Sequence, residues 1–230
     1  MRLTILELPA RWHAADRALA EVDAALTGST ADLVLLPEAS LHGYVSPEGD
    51  ADLTRFAEPI DGPTSLACRA LAEKHGVHLV APLVLREGAA LYNAMICHAP
   101  DGSRPFSYRK RHPWIPETWA TRGAEPLPVV AIADRVVTIA ICYDLHFLPR
   151  ESADQLEAAD VLLFPSAWVE KPDFRIPRLQ RLAHNFGLVI ANANWGAGEL
   201  VVPGQGNSCV VAADGSVLAR VEHGRIDLEL

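Results

Sequence analysis

The sequence carries no surplus of positive charge. Its 20 lysines and arginines stand against 29 acidic residues, a formal net charge of −9, which disfavours nucleic acid and anionic membrane and leaves a small molecule as the natural partner. Cysteine is scarce as well. Cys68, Cys97, Cys142 and Cys209 lie far apart with no Cys-x-x-Cys pair, which excludes a dense disulfide framework and implies reduced thiols in a cytoplasmic protein. The histidines show no His-x-x-x-His spacing, so no metal site is expected. Gly-x-Ser-x-Gly elbows, Walker loops and Gly-x-Gly-x-x-Gly fingerprints are all missing, and with them the usual signs of a nucleotide or dinucleotide cofactor. No apolar run approaches the roughly 20 residues of a membrane span. The run that starts at Met1 breaks at Glu7 and Pro9, too early for a signal peptide.

What is present is a chain of 230 residues, half of them hydrophobic, long enough for one sizeable core and without a low-complexity hinge, so residues 1–230 are expected to form a single domain. Leu3 to Leu8 reads as a strand. Trp12, Ala15, Leu19, Val22 and Leu26 recur at helical steps before Gly28. Ala31 to Ser40 is a short buried strand ended by Pro37, which leaves Glu38 at its carboxyl end. Pro63 to His75 reads as a helix stopped by Gly76, followed by a strand from Val77 to Leu85, a turn at Arg86-Glu87-Gly88, and strands at Leu91 to His98 and Arg104 to Tyr108, an antiparallel portion. Val136 to Asp144 reads as a strand delivering Cys142 to the sheet edge. Ala159 to Trp168 echoes the Glu38 segment, again with a proline, Pro165, at its end. Phe174 to Phe186 is a helix stopped by Gly187, Leu188 to Asn192 a buried strand, and Val217 to Val221 a last strand before a short tail. Strands alternating with helices, in two related halves, predict an α/β fold with mixed sheets and a common mouth for Glu38 and residues 166–168.

Three polar residues at strand ends or in loops then combine into one chemistry. Cys142 needs a base or a cation to attack as a thiolate. Glu38, withdrawn from water at a strand end, is the candidate base. Lys110, in the basic and proline-rich loop Arg109 to Glu117, is the candidate cation and oxyanion donor, together with the N–H of Tyr143. Tyr44, Trp114, Tyr143 and Trp168 are candidate substrate walls; Arg175, Arg178 and Arg181 are candidates to meet a substrate carboxylate but read mainly as helix-surface or interface residues.

The segments Leu35-Leu36-Pro37-Glu38, Tyr108-Arg109-Lys110-Arg111-His112 and Ile141-Cys142-Tyr143-Asp144, in this order, resemble the nitrilase superfamily of carbon–nitrogen hydrolases. Gly43-Tyr44, Trp168, Arg181 to Gly187 before Ala191-Asn192, and Gly206-Asn207-Ser208 extend the resemblance along the whole chain. It implies an α/β/β/α sandwich with helices on the outer faces, and a Glu-Lys-Cys triad of Glu38 as general base, Lys110 as oxyanion stabiliser and Cys142 as nucleophile, with Glu117 similar to the family's second glutamate. It further implies a cofactor-free amidase acting on a small amide through a thioester, and a homodimer or higher homo-oligomer. N-carbamoyl-amide hydrolysis, nitrile hydrolysis, acyl transfer to an amine and a catalytically silent interaction module are the alternatives. The chain departs from the family pattern at His146 to Glu151, where many members have Arg-Phe-Pro-Glu, at Pro113, at His184 and at Glu7.

Overall fold

A computed structural model describes residues 1–170 and 173–230. The first part of the chain contributes β1 (Arg2–Leu6), α1 (Ala15–Leu26), β2 (Leu33–Leu35), α2 (Pro63–His75), β3 (His78–Glu87), β4 (Ala90–His98) and β5 (Ser107–Arg109). The second part contributes β6 (Val129–Ile132), β7 (Arg135–Ile139), a 3₁₀ turn over Cys142–His146, the short α3 (Leu148–Glu151) and α4 (Ala153–Glu157), β8 (Val161–Ser166), α5 (Arg175–Phe186), β9 (Val189–Asn194), β10 (Cys209–Val211), β11 (Val217–Arg220) and β12 (Arg225–Glu229). Two six-stranded sheets result, ordered β12-β1-β2-β3-β4-β5 and β11-β10-β9-β8-β7-β6. Within them β1, β2 and β3 run parallel, as do β7, β8 and β9, and the flanking strands are antiparallel.

The period of two along each strand assigns the faces. Leu3, Ile5, Leu33, Leu35, Val80 and Met95 of the first sheet share one core with Val137, Ile139, Leu162, Leu163 and Ile190 of the second, which continues to Leu179, Leu182 and Ala183 of α5. The intervening residues Val34, Leu36, Leu79 and Ala81 pack instead against Ala18, Val22 and Leu26 of α1 and against Cys68 and Ala72 of α2. Both faces of these strands are therefore buried, which is why they read as unbroken apolar runs. The layers are α/β/β/α.

Local chemistry explains most boundaries. Pro63 occupies the first turn of α2 and Gly76 closes it at φ 66°; Gly187 closes α5 at φ 65°. Four expectations are corrected. Pro165 does not end its strand: β8 runs through it to Ser166, because the pairing of β7 with β8 stops at Leu163 and the missing N–H of Pro165 has no partner to lose on that side. The Cys142 strand stops at Ile139, and the cysteine sits on the 3₁₀ turn at φ 45°. β6 was not foreseen. The tail after Val221 holds β12, which pairs antiparallel with β1, Ile226 opposite Ile5.

Candidate active site

The carboxyl ends of β2, β7 and β8 converge on one point. Glu38 follows β2, Cys142 follows β7, and the backbone N–H of Ala167 just beyond β8 donates to Glu38 Oε2 at 2.8 Å. That bond joins residues 129 positions apart and ties the two sheets together at the site. The common mouth expected for Glu38 and residues 166–168 is thus formed.

Lys110 follows β5. Gly123 holds its backbone in place: the Gly123 N–H donates to the Lys110 carbonyl at 2.8 Å, and any Cβ at Gly123 would fall 2.2 Å from the Arg109 carbonyl oxygen. Lys110 Nζ donates to Glu38 Oε1 at 2.6 Å and to Glu117 Oε1 at 2.5 Å, with all three side chains withdrawn from solvent. Asn93 Nδ2 gives Glu38 Oε1 a further bond at 2.8 Å, and the Tyr44 hydroxyl donates to Glu117 Oε1 at 2.6 Å. Every polar group that fixes the two carboxylates is therefore itself buried.

The electrostatics follow from the inventory of one ammonium among two carboxylates and a thiol. Burial pulls the Lys110 ammonium down, but the charges of Glu38, Glu117 and Cys142 outweigh it and the group lies above its ordinary value, permanently charged. Burial, with the Glu38 charge, raises the Glu117 carboxyl against the opposing pull of Lys110. The Cys142 thiol is pushed well above its ordinary value by burial and by Glu38, with Lys110 opposing and Glu117 adding. One cation faces two carboxylates and a thiol, so burial and the Glu38 charge favour the protonated sulfur while Lys110 pulls the other way.

Cys142 opens onto a cleft of about 180 Å³ lined by Trp114, Tyr143, His146, Ala167, Trp168, Val169 and Glu170. Glu170 Oε2 accepts from Trp168 Nε1 at 3.0 Å and from Arg178 at 2.9 Å, which fixes the indole as a wall. Burial and the Arg178 charge lower the His146 imidazole, so it is neutral near pH 7. Gly204, at φ 91°, backs this wall where a Cβ would meet the Trp168 carbonyl at 2.8 Å. Of the expected walls, Trp114, Tyr143 and Trp168 line the cleft. Tyr44 does not: its hydroxyl is committed to Glu117 and its ring packs edge-on against Trp195 at 5.9 Å. Arg178 is at the helix surface as expected, whereas Arg175 is fully buried, bonded to Asp173 and to the carbonyls of Gly206 and Asn207. Asn93, the Ala167 N–H and His146 were not assigned to the site from sequence; Asn93 was the one with a signal, an amide inside the apolar strand β4.

Among the described residues no cluster of three or more His, Cys, Asp or Glu has the arrangement of a metal site, and no helix is long and apolar enough to cross a membrane.

A family profile described as carbon-nitrogen hydrolase matches residues 3–228. The chain is 28% identical over 199 residues to the hydrolase in pqqF 5′region of Pseudomonas protegens, covering 85% of this chain and 69% of that protein. It is 28% identical over 206 residues to the formamidase of Bradyrhizobium diazoefficiens, covering 86% of this chain and 59% of that one. The structure superposes with a TM-score of 0.83 on a Glu-to-Gln mutant of the amidase from Nesterenkonia sp. AN1 that shows Michael addition of acrylamide at its active-site cysteine; the two are 24% identical, over 100% of this chain and 93% of that one.

Proposed function

The chain belongs to the carbon–nitrogen hydrolase family, and on that premise we propose that it hydrolyses the C–N bond of a small amide, with Cys142 as nucleophile, Glu38 as general base and Lys110 as oxyanion donor. The observation that carries the reading is the Lys110 ammonium held between Glu38 and Glu117, all buried, with Glu38 bonded to the backbone N–H of Ala167, which lines the same cleft as Cys142. Attack begins from a thiol, so the proton on Sγ passes to Glu38 as sulfur bonds to the amide carbon. An ammonium has three protons. Two are given to Glu38 and Glu117, and the third is assigned to the oxyanion, with the Tyr143 N–H beside it. Glu38 returns its proton to the departing nitrogen, ammonia leaves, and a thioester remains. Water then enters, Glu38 takes its proton, and collapse of the second tetrahedral species expels the thiol and releases a carboxylic acid. Glu117, bonded to Lys110 and Tyr44, holds the ammonium in place.

The cleft admits roughly the volume of six waters, at about 30 Å³ each, and its walls are indole, phenol and valine together with the His146 imidazole and the Glu170 carboxylate. The volume favours a short amide. The test is ammonia release from a panel of small aliphatic and aromatic amides, carbamoyl compounds and nitriles, run beside Cys142→Ala. Release from amides by the wild-type protein alone is expected. Ammonia from none of them, or equal release by both proteins, overturns the reading.

A further inference from the structure

We infer that Asp144 is a positioning residue of this site, joining the segment that carries Lys110 to the turn that carries Cys142; the inference rests on the roles proposed above for those two residues. Asp144 is buried and does not line the cleft. Its Oδ2 accepts from the Ile141 N–H at 3.1 Å and from the Tyr108 hydroxyl at 2.8 Å. Its Oδ1 accepts from the His112 N–H at 2.9 Å and faces His112 Nδ1 at 3.0 Å. Tyr108 and His112 stand two residues to either side of Lys110, and Ile141 immediately precedes Cys142. One carboxylate therefore fixes both reacting segments, accepting from three donors and, in the Nδ1–H tautomer, from the His112 ring as a fourth. Burial, with the Asp144 charge, raises the Tyr108 phenol, which keeps it a donor.

A second set of contacts locks the far side of the turn. His112 Nε2 lies 3.1 Å from Glu151 Oε2, and the His112 ring stacks on Phe147 at 3.8 Å with 8° between planes. The stretch that departs from the family pattern thus brings Glu151 and Phe147 onto the same histidine.

The physical need is set by the backbone at Cys142. Its φ of 45° is left-handed, a region in which a non-glycine residue is strained and which persists only where its surroundings hold it. The run Val136 to Ile141 favours continuing as strand, and the Ile141 N–H bond to Asp144 is what turns it. If that bond is lost, Sγ swings away from Glu38, and a misplacement of about 1 Å at a reacting atom can cost on the order of a hundredfold in rate. Asparagine cannot substitute, because it offers one oxygen and an amide N–H₂ to four donors.

The test compares Asp144→Asn with the wild type in three measurements: kcat and KM on an amide the wild type hydrolyses, the rate of Cys142 alkylation by iodoacetamide followed by intact mass and peptide mapping, and thermal melting. The expected result is a kcat lower by about tenfold or more with KM changed by less than about threefold, and alkylation slowed in parallel. Val22→Ala, in the helix layer away from the site, should lower the melting temperature and change neither rate. Rates within about twofold of wild type for Asp144→Asn overturn the assignment. Should that variant not fold, Tyr108→Phe removes one of the four donors: a kcat lower by about threefold supports the assignment and an unchanged kcat and alkylation rate overturn it. A wild-type protein that is alkylated at Cys142 but hydrolyses no amide sinks the amidase reading alone, and the alkylation comparison still decides Asp144.

Discussion

Replacing Lys110 with methionine keeps most of the side-chain volume and removes the charge with its N–H donors, so its consequences can be worked out from the contacts of Nζ. The substitution leaves Glu38 and Glu117 facing the same point, each having lost a bond of 2.6 or 2.5 Å, in a place with no access to solvent. Removing one partner of a buried ion pair destabilises by about 3–5 kcal/mol. For a chain of this size each kcal/mol shifts the melting temperature by about 2–4 °C, so a fall of about 6–20 °C is expected. The deficit has a definite pH dependence. The Glu117 carboxyl is already raised in the wild type, and loss of the cation raises it further. A carboxyl raised in the folded state stabilises that state fully below its ordinary value, and this stability is lost as pH rises through the raised one. The variant should therefore melt closest to wild type at acidic pH, towards the ordinary carboxyl value, and furthest from it at alkaline pH. In the same protein, loss of the oxyanion donor should cut kcat by about a hundredfold or more. Melting curves at the two pH values and an ammonia assay decide it. A melting temperature within about 2 °C of wild type at the higher pH, with activity reduced by less than about tenfold, refutes the reasoning.

Cys142→Ala removes one sulfur that borders the cleft at the edge of the core, so turnover should vanish while the protein still folds with a cooperative melt; measurable hydrolysis above buffer removes Cys142 as nucleophile. Glu38→Gln impairs both attack and deacylation, but with a reactive ester whose leaving group needs no proton the fraction of Cys142 that ionises beside Lys110 can still be acylated, and the second step should lag. The protein should then gain the mass of one acyl group at Cys142 in intact mass spectrometry; an adduct on Cys68, Cys97 or Cys209, or wild-type turnover, shows the base and nucleophile to be misassigned. By family resemblance the protein should run as a homodimer in light scattering, and a monomer at working concentration contradicts that.

The layered α/β/β/α fold was legible because burial on both faces makes strands such as Leu33–Leu35 and Val161–Phe164 continuous apolar runs, and because Pro63, Gly76 and Gly187 mark helix ends with letters that have few other uses. β12 was not: its pairing with β1 joins opposite ends of the sequence, and Arg-Ile-Asp-Leu-Glu looks like a solvated tail without that partner. The end of the Cys142 strand was misplaced for a different reason. β-branched residues continue to Ile141, and what bends the chain is a carboxylate three positions later accepting the Ile141 N–H. Glu38, Lys110 and Cys142 were singled out by residue type and position, and the structure brings Glu38 and Lys110 into contact. The Ala167 N–H that binds Glu38 belongs to the backbone, and a backbone donor has no letter. Tyr44 was assigned to the cleft because an aromatic near a strand end can face either way; only its bond to Glu117 distinguishes the two.

The bond from Ala167 to Glu38 also sets a timetable. During synthesis Glu38, Lys110 and Cys142 have all left the ribosome before Ala167 does, and the parallel neighbour of β8, the strand β9, comes later still. Until that part of the chain docks, the nascent polypeptide carries the Glu38 carboxylate without the backbone donor that fixes it, so a carboxylate held in place at this point exists only once the second sheet has formed.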